Sequence, residues 1–89
     1  MFTSQWTPIN LTASGALKAA PGTIKGFYVS SHTSGTVKLW NNTAGSGTVL
    51  VNTITLAAGP QWVELGGLYG SVGLFATIGG TADITFAIN

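Results

Sequence analysis

The sequence predicts an all-β domain: an antiparallel β-sandwich, jelly-roll-like, with six to eight short strands and an extended N-terminal arm. Three observations carry this. Apolar and polar residues alternate at period two through most of the chain. Turn residues break the alternation about every eight to twelve positions, the spacing of a sandwich or barrel. The 13 Gly and 3 Pro are spread as punctuation and leave no room for a helix of ordinary length.

Taken in order, Met1 to Asn10 reads as an extended segment, with Pro8 opposing helix. Residues 1–11 are therefore assigned to an arm and 12–89 to a single sandwich domain. Ala13 to Ala20, bounded by Gly15 and Pro21-Gly22, is a short strand or one helical turn. Thr23 to Ser30 is apolar on both faces, as a central or doubly covered strand would be. Ser30-Ser31-His32-Thr33-Ser34-Gly35 reads as a turn-rich loop. Gly35 to Asn41 is a strand with Val37 and Leu39 inward and Lys38 and Trp40 outward. A turn over Asn42 to Gly47 leads into Thr48 to Leu56, with Leu50, Ile54 and Leu56 on one face. Gln61 to Leu65 follows Gly59-Pro60 and is expected at an edge because of the proline.

The end of the chain reads as a hairpin. Val72, Leu74 and Ala76 alternate with Gly73, Phe75 and Thr77, and Ala82, Ile84, Phe86 and Ile88 with Asp83, Thr85 and Ala87. A three-residue loop, Ile78-Gly79-Gly80, pairs Leu74 with Ile84 and Val72 with Phe86, with Gly80 in the left-handed bulge position. A one-residue slip would mix apolar and polar residues on each face. Phe75 then points outward, opposite Asp83.

Charge is scarce. Only 6% of residues are charged, namely Lys18, Lys25, Lys38, Glu64 and Asp83, against about 25% in an ordinary soluble domain. On the roughly 4,900 Å² surface expected for this mass, that is about one charge per 1,000 Å². A standard interface takes about 800 Å² from each partner, so several would fit without burying a charge. A net charge of +1 adds little self-repulsion. The expectation is self-association, and a homo-oligomer.

Enzymatic readings lack parts. A nucleophilic triad would have to use His32, Asp83 and a serine, and a glycosidase pair would need both Glu64 and Asp83. Asp83 is accounted for as an outward strand residue, and His32 as a loop residue. One histidine, two carboxylates and no cysteine argue against zinc. The expectation is no catalysis, no cofactor and no metal. Three separated lysines without arginine are a weak phosphate footprint, so no nucleic-acid partner is expected. Apolar runs stop well short of the roughly 18 residues a membrane span needs, and no membrane partner is expected. Met1 to Trp6 has neither a basic nor an apolar signal region, so no export signal of its own is expected.

Three Trp, two Tyr and four Phe are many for so small a core. Phe27, Trp62 and Phe86 are assigned to it. Trp40 and Phe75 face outward by alternation and, with Phe2, Trp6 and Ile9 of the arm, form the candidate interface.

Pro21-Gly22-Thr23-Ile24-Lys25-Gly26-Phe27-Tyr28-Val29, followed by Ser34-Gly35-Thr36-Val37-Lys38-Leu39-Trp40-Asn41-Asn42, resembles a group of small tailed-phage virion proteins. The shared features are a Pro-Gly-x-Ile/Leu-x-Gly strand, a strand ending in an aromatic and Asn or Asp, a short Gly/Ser turn and a terminal Gly-Gly hairpin. The resemblance covers residues 12–89. It implies a virion structural role: capsid decoration (cement) protein, head-fibre base or tail component, with binding faces in place of an active site. The expected partners are the chain itself, as a trimer rather than a dimer, and the major capsid protein or another virion protein. The expected location is the capsid surface, after synthesis in the host cytoplasm. A competing function is a carbohydrate-binding adhesin module of a tail or fibre, with sugars on Trp40 and Tyr69 beside Asn41 and Asn42.

Overall fold

The computed structural model describes residues 5–89. Among them, six strands and no helix form one open antiparallel sheet: β1 (Thr7–Leu11), β2 (Gly15–Lys18), β3 (Gly22–Asn41), β4 (Thr48–Thr55), β5 (Gln61–Gly70) and β6 (Leu74–Ile88). Two long strands organise it. β3 has 20 residues and β6 has 15, and they pair with each other from Ile24–Ile88 to Trp40–Phe75. The shorter strands flank this ribbon in pairs. β1 and β5 border the half made by the end of β6 and the start of β3; β2 and β4 border the other half.

The ribbon bends at its middle. Thr33 pairs with Thr81 and Thr36 with Gly79, which leaves Ser34 and Gly35 facing Gly80. Ser34 has φ 51° and Gly80 φ 70°. A Cβ on Gly80 would run into the carbonyl oxygens of Ser34 and Thr33. Left-handed backbone and close carbonyl contact together require glycine at this position.

Several sequence expectations are corrected by this architecture. Gly79-Gly80 is not a hairpin loop: β6 passes straight through it, and Leu74 pairs with Lys18 of β2 rather than with Ile84. The Ser30–Gly35 segment is the bent centre of β3, not a loop between two strands. Phe75 lies opposite Trp40, and Asp83 opposite Ser31. Val72 precedes β6 and is exposed rather than inward. Thr7–Leu11, expected in a free arm, is β1, hydrogen-bonded along β6 from Thr7–Ile88 to Leu11–Ile84. Other readings stand. β5 pairs with β3 alone and is an edge strand, though it extends to Gly70; β3 is central in both halves; Ala13–Ala20 contains a strand, Gly15–Lys18.

The core draws on both halves. Ile24, Phe27 and Val29 come from the start of β3, Val37 and Leu39 from its end, and Leu74, Ala76, Ile84 and Phe86 from β6; all are buried. Strict alternation would put Ile24 and Phe27 on opposite faces. The bulge between Ile24 and Gly26 adds one residue to that stretch of β3, so both point inward. Phe27 and Phe86 are cross-strand partners, their ring centroids 5.3 Å apart and their planes tilted by 47°.

Candidate interaction faces

The core takes one side of each half, and the outward side chains form two surfaces of different chemistry. In the second half, Ala16, Phe75, Trp40 and Val49 lie in one cross-strand row over β2, β6, β3 and β4. Cross-strand neighbours sit about 5 Å apart, so the row is a continuous apolar stripe. The Trp40 Nε1–H donates to Thr77 Oγ1 at 2.9 Å, and the Lys38 ammonium lies 4.4 Å from the centre of the Trp40 ring. Gly45 of the β3–β4 turn sits over Phe75: a Cβ there would lie 3.1 Å from the Phe75 ring. Trp40 and Phe75 are thus brought together, each half-buried; Val49 is 41% exposed.

The outer surface of the first half is aromatic and acidic. Tyr28 and Trp62 are cross-strand partners, 44% and 45% exposed. Trp62, assigned to the core from sequence, therefore lies outside it. It is in phase with Glu64 on β5, while Val63 and Leu65 pack toward the core. That phase was the available signal, since a carboxylate two residues on in a strand shares the face. The Trp62 Nε1–H donates to Glu64 Oε1 at 3.0 Å, and Glu64 Oε2 accepts the Gly66 N–H at 3.1 Å and lies 3.6 Å from Lys25 Nζ. Lys25 in turn lies 5.9 Å from the centre of the Trp6 ring. Across β6, Asn10 Nδ2 donates to Asp83 Oδ1 at 2.7 Å and to Thr85 Oγ1 at 3.1 Å. Sequence reasoning missed Tyr28, Trp62, Lys25 and Glu64 as one group, because the bulge at Lys25 and the β3–β5 pairing that unite them are non-local.

The remaining candidates scatter. Phe2 lies outside the described residues. Ile9 pairs with Phe86 and packs against the core, while Trp6, half-buried, joins the first-half surface. His32 is a structural clasp. Its Nδ1 accepts the Gly35 N–H at 3.0 Å, so Nε2 carries the proton and donates to the Ala57 carbonyl at 2.5 Å. Among the described residues there is no pocket and no group of three potential metal ligands.

Comparison with protein-family models, with curated proteins and with solved structures finds no match for this chain. The two faces rest on their own geometry.

The hydrogen bond from Trp62 holds the Glu64 carboxyl below its usual range, opposed by desolvation and helped by the Gly66 N–H and the Lys25 charge. A depressed carboxylate contributes stability that is present above its unfolded value and lost as pH falls through its folded value. Acid titration should therefore shift the Trp62 indole N–H resonance with a midpoint below that of a free glutamate, and Glu64→Gln should abolish the transition. A midpoint at or above the free value would mean the Trp62–Glu64 bond is not made.

Proposed function

We propose that this chain is a non-enzymatic virion structural protein, a capsid decoration (cement) protein that bridges major capsid subunits as a homo-oligomer, a trimer on a three-fold position. The supporting observation is the apolar row Ala16–Phe75–Trp40–Val49, which runs across four strands with the Lys38 ammonium over its Trp40 ring. Interface cores are depleted of charge and enriched in aromatics, and this row has both features. The resemblance of residues 12–89 to phage virion proteins supplies the setting.

In this reading the bent sheet works as a two-layered, jelly-roll-like sandwich. A Cβ on Gly22, at the start of β3, would lie 3.4 Å from a Leu74 methyl in the other half, and the fold is 17 Å along its shortest axis. Two sheets packed about 10 Å apart fit that thickness. Distances measured in solution that put Gly22 and Leu74 far apart would remove the layered reading.

Val49→Asp tests the function. The residue is exposed on β4, which pairs with β3 alone, so the fold should tolerate the change. The wild-type chain should sediment as an oligomer at micromolar concentration and copellet with particles assembled from its cognate major capsid protein. The variant should lose at least about tenfold in particle binding, the effect of a desolvated unpaired charge in an interface. A wild-type chain that stays a 9.1 kDa monomer and does not pellet with particles would refute the proposal.

A further inference from the structure

We infer that the outer surface of the first half is a binding platform for a neutral oligosaccharide, with a pyranose ring stacked on Trp62 and its hydroxyl groups held by Glu64, Lys25 and the Asn10–Asp83 pair. This goes beyond the capsid-docking reading and uses the opposite chemistry of a separate face.

The first observation is the pose of Trp62. Its Cα lies opposite Tyr28, yet the far atoms of its ring lie over Gly26: a Cβ there would be 2.8 Å from Cζ2 and 3.2 Å from Cη2. Its Nε1 reaches Glu64 on its own strand. The indole therefore lies along the sheet surface instead of standing off it. Glycine at 26 makes room for the ring, and the hydrogen bond fixes it. The side chain is nonetheless 45% exposed, as is its neighbour Tyr28 at 44%. A pinned, flat aromatic surface of this kind matches the C–H face of a pyranose, with little ordering left to do on binding.

The second observation is where the charges sit. Both acidic residues of the chain, Glu64 and Asp83, are on this face, together with Lys25. Glu64 lies two residues from Trp62 along β5, and its ion pair with Lys25 leads toward Trp6. A protein docking here would strip water from that pair, a cost that attraction within the pair does not reliably offset. Sugar hydroxyls both donate and accept, so they replace the lost water on carboxylate, ammonium and amide alike. Nucleic acid is disfavoured, because two carboxylates against one ammonium repel phosphate. A neutral, hydroxyl-rich ligand with a flat apolar side satisfies the aromatic and the polar groups together.

The test is titration of the full chain with neutral hexaoses of glucose, galactose, mannose and N-acetylglucosamine, each to 10 mM, following the indole N–H resonances and intrinsic fluorescence. At least one should perturb the Trp62 signal saturably. Trp62→Ala and Tyr28→Ala should each weaken that binding about tenfold or more, as removal of an aromatic anchor does. Both variants should keep the wild-type melting temperature within a few degrees and still pellet with capsid particles. Val49→Asp should keep sugar binding, so failure of the docking reading and failure of this one are told apart. No saturable shift with any of the four hexaoses overturns the inference. So does binding that survives Trp62→Ala, or an oligomer that Trp62→Ala dissociates, which would make the face a protein interface.

Discussion

Replacing Gly80 by valine is expected to destabilise the fold by about 3–5 kcal/mol, lowering its melting temperature by roughly 12–40 °C for a domain of this size. Two costs add. The left-handed backbone at φ 70° penalises any side chain by about 1–2 kcal/mol, and a β-branched one more. The new Cβ also meets the carbonyl oxygens of Ser34 and Thr33, backbone atoms fixed by the β3–β6 pairing on either side of the bend. Neither strand can move away without breaking ladder hydrogen bonds. Against a total stability of about 4–13 kcal/mol, such a loss leaves a sizeable unfolded fraction. Gly59→Ala is the matched control. Gly59 also has positive φ, 86°, but nothing lies within 4 Å of its added Cβ, so it should show the backbone penalty alone. Circular dichroism melts of both variants decide the matter. Equal losses would mean that Gly80 does not sit against the β3 bend, and that β6 does not run continuously through it.

The same glycine shows what a sequence can and cannot reveal here. A Gly-Gly pair between two alternating runs is the local signature of a hairpin, and a left-handed glycine serves a hairpin bulge and a mid-strand bend equally well. What separates the two is whether residues 72–77 pair with 82–88 or both pair with β3, and that contact is non-local. The inward set Leu74, Ala76, Ala82, Ile84, Phe86 and Ile88 was nonetheless legible, because alternation on each side of the glycines is independent of the partner. Lys38 and Trp40 outward against Val37 and Leu39 was legible for the same reason. Thr7–Leu11 was misread because an apolar extended segment holding a proline looks alike as a free arm and as an edge strand. In the structure Pro8 sits in β1, a strand that pairs with β6 alone, where a missing N–H can face away from the ladder. The first-half face was the least legible. Its residues come from four strands, and the bulge at Lys25 resets the alternation of β3 where Lys25, Gly26 and Tyr28 must be placed together.

Emptying the centre of the core should have the second large effect. Phe27 and Phe86 are both fully buried, directly paired across β3 and β6, with their rings in contact geometry. Phe86→Ala and Phe27→Ala should each cost about 3–5 kcal/mol, the transfer of a phenyl group plus the cavity it leaves. The double variant should lose less than the sum by about 0.5–1.5 kcal/mol, because the ring–ring term disappears with either partner. Either change alone removes a large share of the about 4–13 kcal/mol expected of an 89-residue domain, so Phe→Leu versions of both sites keep the cycle measurable by urea unfolding. Phe75→Ala supplies the contrast within β6. Phe75 points away from the core, half-buried beside Trp40 under the β3–β4 turn, so its loss should cost clearly less than that of Phe86. Thr77 and Trp40 would keep their hydrogen bond across the vacated space. Should Phe75→Ala shift the urea midpoint as far as Phe86→Ala, the faces of β6 are misassigned. The apolar row proposed to dock on the capsid would then be part of the core.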